Sequence, residues 1–302
     1  MIHGIINVYK EKGFTSHDVV AKLRKIAGQK KIGHTGTLDP EAEGVLPVCF
    51  GKATKLCGLL TEEDKTYETV LLLGRTTDTQ DAAGRVLSQK SADFLTEEEV
   101  THAVLSFAGE YWQIPPMYSA LKVNGKRLYE LARKGQEVER KARRVSLYDV
   151  RVLHMSLPRV RMSVTCSRGT YIRTLCHDVG ESLGCGGCME ELVRTRAGRF
   201  SIESAHRLEE IERFFAEEKA EELVMPVDAL FCEAPKVRVK EEWEMQARNG
   251  NALPENAVDV PKSLPDDARV RLYDGAERFI ALYRWREGAQ EYSLEKMFFP
   301  EV

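Results

Sequence analysis

The sequence predicts an α/β domain followed by a small all-β domain. Up to about residue 230, strand-like runs alternate with stretches whose apolar residues recur at helical spacing. From Pro235 the character changes to short strands, a Pro-punctuated loop over 251–266 and Asp274-Gly275 turn chemistry. A length of 302 residues suits one large and one small domain, or two of moderate size; the change of character places the boundary near 230–236, giving 1–232 and 233–302.

The elements follow in order. Residues 4–9 read as a short strand, and 10–16 as a turn ending in a good N-cap. Val19, Val20, Leu23, Ile26 and Ala27 recur at helical spacing and Gly28 sits where a C-cap belongs, which predicts a helix over 16–27. Val45 to Phe50 reads as a buried strand, and Lys52 to Leu56 as the start of another helix. Residues 65–73 are rich in β-branched, aromatic and aliphatic residues, as in a strand. Gly74 to Gly84 is polar and loop-like. Thr96-Glu97-Glu98-Glu99 is a capping box for a helix reaching about Phe107, closed by Gly109. Pro115-Pro116 breaks the chain, Asn124-Gly125 signals a turn, and 127–134 reads as a helix. Residues 159–166 alternate, with Val160, Met162, Val164 and Cys166 on one face and Arg159 and Arg161 on the other. A helix then runs to about Leu183, so Tyr171 and Arg173 fall at a strand-to-helix junction. Residues 208–223 make an acidic amphipathic helix, and strands at 236–239, 269–273 and 278–284 build the second domain.

Composition bounds the function. The hydrophobic fraction is 43% and the charged fraction 30%, as in water-soluble globular chains. No stretch approaches the roughly 20 apolar residues of a membrane span. No secretory signal is visible in the residues before the first strand, so none is expected, and seven cysteines are best explained as reduced thiols of the cytoplasm. Net charge is −3, but it is segregated. Residues 1–61 carry nine Lys/Arg against five Asp/Glu, 122–144 nine against three, and 201–234 three against ten. A polyanion site can sit in the basic regions of such a chain. In 113–135 basic residues interleave with tyrosines, cations for phosphates beside rings that stack on bases; a solvated helix with ordinary surface lysines has the same composition.

The most informative stretch is Gly33-His-Thr-Gly-Thr-Leu-Asp39-Pro-Glu-Ala-Glu-Gly44. Pro40 biases Asp39 away from helix, which gives a fixed loop presenting a carboxylate and an imidazole. A turn in which Asp39 bonds its own backbone is the plain alternative. Asp39 with His34, Tyr67 and Arg173 is the first chemical constellation. A carboxylate paired with an arginine can act as a nucleophile or stabilise positive charge at a sugar's anomeric carbon. Spacing alone does not require positions 39, 67 and 173 to meet. Cys185-Gly-Gly-Cys188, with Cys166, Cys176 and His177 upstream, is one metal-type pair where a zinc site wants two, so no metal is expected. The glycines match neither the dinucleotide nor the P-loop order.

Several of these motifs together resemble a known family. Gly33-His-Thr-Gly-Thr-Leu-Asp-Pro40, Gly44-Val-Leu-Pro-Val-Cys-Phe-Gly51, Lys65-Thr-Tyr67, Pro115-Pro-Met-Tyr-Ser-Ala-Leu-Lys122, Arg168-Gly-Thr-Tyr-Ile-Arg-Thr174 and Leu192-Val-Arg-Thr-Arg-Ala-Gly198 are similar to the signature of the TruB family of tRNA pseudouridine-55 synthases. The resemblance runs from about residue 3 to 230, and the tail resembles a small RNA-binding PUA-type domain. It implies a mixed, largely antiparallel central sheet flanked by helices. It implies isomerisation of a T-loop uridine of tRNA by a monomer, with no cofactor, after the nucleotide flips out of its stack. Asp39 is then the essential carboxylate, Tyr67 stacks on the uracil, and Arg173 pairs with the aspartate. Tyr171 and Leu192 line the base pocket, His34 fills the vacated place, and Lys10 lies near the target phosphate. Two departures stand out: Glu11 replaces the usual proline after that lysine, and Val193 replaces an arginine. RNA-guided relatives acting on ribosomal RNA share the signature, and an RNA-folding module is a further alternative. The basic segment at about 115–145, resembling a T-arm clamp, favours the stand-alone tRNA enzyme.

Overall fold

The computed structural model describes residues 1–123, 125–259 and 264–298. In chain order the first part contains β1 (Gly4–Lys10), α1 (Ser16–Ile26), β2 (Ile32–His34), β3 (Glu43–Phe50), α2 (Cys57–Glu62), β4 (Lys65–Leu73), β5 (Arg75–Thr77) and β6 (Val86–Gln89). There follow α3 (Glu97–Leu105), β7 (Gly109–Gln113), β8 (Lys122–Val123), β9 (Lys126–Arg127), α4 (Leu128–Ala132), β10 (Arg143–Ser156), β11 (Arg159–Cys166), α5 (Ile172–Ser182), β12 (Gly187–Ala197), β13 (Phe200–Ser201) and α6 (Leu208–Ala216). The last part holds β14 (Lys236–Val239), α7 (Glu244–Asn249), β15 (Leu253–Pro254), β16 (Val258–Asp259), β17 (Arg269–Tyr273), β18 (Phe279–Arg286) and β19 (Glu291–Met297).

Nine strands form the large sheet, in the order β1-β3-β12-β4-β11-β10-β7, with β2 on β3 and β13 on β12. Every pairing is antiparallel except β3 with β12, where Gly44 lies opposite Arg194. The expected mixed, largely antiparallel sheet is therefore present. Along β11 the alternation works as predicted: Val160, Met162, Val164 and Cys166 are buried beneath α5 residues Ile172, Leu175, Cys176 and Val179. The second sheet has six strands, β15-β19-β18-β17-β14-β16, and packs through Leu282 and Phe298 onto Val45, Leu56 and Phe231.

Some elements differ from the sequence expectation. The polar stretch after Gly74 starts a hairpin, β5 with β6. The segment from Gly51 to Leu56 is a 3-10 turn that leads into α2. The acidic helix stops at Ala216 because Glu218 takes a left-handed conformation, φ 59, and a separate turn covers Ala220–Leu223. The helix expected over 127–134 is only Leu128–Ala132. Strands β7, β10, β12 and β19 had no counterpart in the sequence reading, and neither did α7 inside the β-rich tail. Asn124 of the expected turn, and residues 260–263 of the Pro-punctuated loop, lie outside the described residues; β8 and β9 do flank Asn124-Gly125 as a hairpin. Among the described residues no helix is long and apolar enough to cross a membrane.

Candidate active site

The Asp39 loop is fastened from several sides. Leu38 and Ala42 are buried in one cluster with Leu192, and Tyr67 packs against that cluster. The Ser16 hydroxyl accepts from the Leu38 N–H at 2.9 Å, and the Thr35 N–H donates to the Pro47 carbonyl at 3.1 Å. The Gly13 N–H reaches the Pro40 carbonyl at 2.9 Å. Gly44 closes the loop with φ 103, a backbone angle that glycine tolerates. Held this way, the Asp39 carboxylate is 40% exposed, while Leu38, Ala42 and Arg173 beside it are buried.

The sheet brings the expected partners to that carboxylate. Arg173, in the first turn of α5 and 5% exposed, places Nε 2.9 Å from Asp39 Oδ2. Its two remaining nitrogens donate to the carbonyls of Thr79 and Tyr118 at 2.9 and 2.8 Å. Asp81 Oδ2 is 3.9 Å from Nη1. The guanidinium is thus aimed by four groups from three parts of the chain. Tyr67 lies opposite Arg194 across β4 and β12, on the face that also carries Leu192 opposite Thr69. Burial pushes the Tyr67 phenol up, while the hydrogen-bonded Arg194 guanidinium pulls it the other way. Tyr171, half-buried, is the residue from which α5 starts. His34 stands edge-on to His17, ring centroids 5.4 Å apart, and burial lowers its pKa, which favours the uncharged ring. Asp39 and Arg173 are thus in contact, and Tyr67 and Leu192 belong to the cluster that holds Leu38 and Ala42 on either side of the carboxylate. Tyr171 starts the helix that carries Arg173, and the ring contact of His34 is to His17.

Lys10 is arranged differently from the phosphate contact expected of it. It is 0% exposed, and its ammonium donates to the carbonyls of Glu11, Phe14 and Pro40 at 3.0, 2.7 and 3.2 Å. Fully engaged inside the chain, it ties β1 to the residue after Asp39 instead. Burial pushes it down to about 8, opposed by Glu43, Asp39 and Glu41. The folded chain then sheds this proton at lower pH than the unfolded chain does. Wild type should gain stability over Lys10→Met as pH rises from about 8 towards 10, on the order of 2 kcal/mol. Urea unfolding of both proteins at the two pH values measures this, and a difference that stays constant contradicts it.

Arg194 is the residue the sequence reading passed over. It is 1% exposed, donates to the Val45 carbonyl at 2.7 Å and approaches the Gly36 carbonyl at 3.4 Å. It therefore links β3, the glycine loop and Tyr67. Its signal was its place in Leu192-Val-Arg194, two residues from a pocket position on the same strand face. The Cys185-Gly-Gly-Cys188 stretch has a packing role: a Cβ on Gly180 would stand 2.1 Å from the Gly187 nitrogen, so α5 and β12 meet through glycine. Both cysteines are buried and free, and burial pushes Cys188 up to about 11. Among the described residues no three His, Cys, Asp or Glu side chains are grouped to hold a metal.

Comparison with known proteins identifies the family. The model of the TruB family pseudouridylate synthase N-terminal domain matches residues 24–172, and that of the tRNA pseudouridylate synthase B C-terminal domain matches 173–231. The chain belongs to the TruB family of pseudouridylate synthases. It is 51% identical to the tRNA pseudouridine synthase B of Lachnoclostridium phytofermentans, over 98% of this chain and all of that one. The enzyme of that name from Clostridium tetani is 47% identical, over 93% of this chain and 95% of its own. Among solved structures, an H/ACA ribonucleoprotein bound to a substrate RNA containing 2′-deoxyuridine matches 99% of this chain and 86% of its own, with TM-score 0.71 and 26% identity. A Cbf5-Nop10-Gar1 complex matches 99% and 85%, with TM-score 0.71 and 28% identity.

Proposed function

We propose that this chain converts uridine to pseudouridine at position 55, in the T-loop of tRNA. The observation that carries this is the partly exposed Asp39 carboxylate, 2.9 Å from a buried arginine and beside Tyr67 and Leu192. The reaction breaks the C1′–N1 bond, turns the uracil over and makes a C1′–C5 bond. One proton leaves C5 and one arrives at N1, so atoms balance without a cofactor. Breaking the glycosidic bond leaves C1′ electron-poor, and a carboxylate beside it answers that charge. Asp39 takes this role, with Arg173 holding its orientation. Tyr67 and Leu192 enclose the turning uracil, and Arg194 holds the Tyr67 phenol by a hydrogen bond. Tyr171 forms another wall. His34, an uncharged ring on the loop, fills the space a flipped nucleotide leaves and offsets part of the lost stacking.

The basic 115–145 segment grips the T-arm, and residues 233–302 extend the RNA surface. Unpaired cysteines suit the reducing cytoplasm, and the enzyme works as a monomer. The test is to incubate purified protein with unmodified tRNA transcripts and with an isolated T-arm hairpin, then map pseudouridine by mass spectrometry. Both RNAs should gain one pseudouridine, at the T-loop site. Modification elsewhere, or none, contradicts the proposal.

A further inference from the structure

Gln113 ends the edge strand β7, is 1% exposed and is tied to the start of α5. Its Oε1 accepts from the Tyr171 N–H at 2.8 Å, and its Nε2 donates to the Tyr171 carbonyl at 3.0 Å. The second amide hydrogen faces the Tyr111 hydroxyl. A side chain thus makes the donor–acceptor pair that one strand makes with its antiparallel neighbour. It does so where α5 begins with no side chain capping its first turn.

The tie has a return partner. Two residues after Tyr171, Arg173 donates to the Tyr118 carbonyl at 2.8 Å. Segments 113–118 and 171–173 are therefore stapled at both ends, each by a side chain to the other's backbone. Pro115 and Pro116 stiffen the first of them. Arg173 meets Asp39 through Nε, the nitrogen nearest its own stem, so its aim follows the backbone position of 171–173 closely.

We propose that Gln113 is a positioning residue for the reaction: its amide fixes the Tyr171 backbone, and through it the approach of Arg173 to Asp39 and the stance of the Tyr171 ring. The inference rests on the reading of Asp39 and Arg173 as the working pair. Gln113 touches no reacting atom. Its loss displaces the pair without removing a member.

The experiment compares full-length Gln113→Met, which removes the amide at similar volume, with Gln113→Glu, which keeps only the acceptor for the Tyr171 N–H. In steady-state assays on T-arm RNA, kcat of Gln113→Met should fall by about 10- to 100-fold. KM should stay within about threefold, and Gln113→Glu should lie between Gln113→Met and wild type. In single turnover, Gln113→Met added to Arg173→Met should cost little beyond Arg173→Met alone, because both act on one contact. A wild-type kcat in Gln113→Met, a loss confined to KM, or fully multiplicative losses in the double variant each overturn the proposal. If Gln113→Met does not fold, Gln113→Glu decides: unchanged kcat overturns it and a lowered kcat supports it. Asp39→Asn is run alongside. Its activity would end the reading of the pair itself, whereas an inactive Asp39→Asn with an unaffected Gln113→Met ends only the role given to Gln113.

Discussion

Asp39→Asn should lose at least about 10³-fold in kcat while keeping its fold and its affinity for tRNA. The side chains are nearly the same shape, so Leu38, Ala42 and the Lys10 tie hold the loop as before. Arg173 keeps its bonds to the Thr79 and Tyr118 carbonyls, so the guanidinium is not left without partners. What disappears is the carboxylate charge that the proposed reaction needs. The amide cannot answer positive charge at C1′ and cannot attack it. Circular dichroism and tRNA binding should match wild type within about threefold, because affinity for an RNA comes from many phosphate contacts and not from one carboxylate. Activity close to wild type would remove Asp39 from the chemistry.

Gly44→Ala should be the most damaging substitution to the fold in this region. A Cβ at that position would stand 2.2 Å from the Arg194 carbonyl oxygen and 2.9 Å from its carbonyl carbon and nitrogen. All three are backbone atoms in the single parallel pairing of the large sheet, Gly44 opposite Arg194. No rotamer change relieves such a clash, and φ 103 adds strain of its own. Relief requires β3 and β12 to part, which moves Arg194 off the Val45 carbonyl and loosens the Asp39 loop together. The expected loss is about 3–4 kcal/mol in chemical denaturation, with activity lost as well. A Gly44→Ala protein within about 1 kcal/mol of wild type would mean that the loop is pliable and not fixed.

How much of this was legible in the sequence depends on how local each signal was. β4 and β11 were readable because their alternation or apolar run is uninterrupted, and α1 because Thr15 caps it and its apolar face is regular. β12 was not, because it carries Glu190, Glu191, Arg194 and Arg196 in the middle of a sheet. Its acidic charges are answered by partners distant in sequence: Arg159 pairs with Glu190 and Arg161 with Glu191 on β11's outer face. β10 hides its period behind two register shifts, which put consecutive residues out of alternation. α7 is six residues closed by Gly250 in a left-handed conformation, too short for a periodic pattern.

At the site, Asp39 and Arg173 were named from motifs, but their contact spans most of the large domain and no spacing implies it. Lys10 shows the limit of carrying over a role by position: the side chain is at the site, yet its donors are all taken by backbone carbonyls. The Thr79 and Tyr118 carbonyls that aim Arg173 are backbone atoms, which leave no trace in residue type. Arg194 reads as a surface cation on an alternating strand until the fold turns it inward.

The central claim is that the Asp39 carboxylate works on the sugar of a uridine that has left the T-loop stack. A crystal structure of the protein with T-arm RNA already carrying pseudouridine tests it most directly. The account predicts the target base turned out of the loop and lying against Tyr67, with an Asp39 oxygen about 3–3.5 Å from C1′ or its neighbouring atoms and the Arg173 contact intact. A nucleotide still stacked in the loop, or seated with Asp39 out of reach of its sugar, would contradict it.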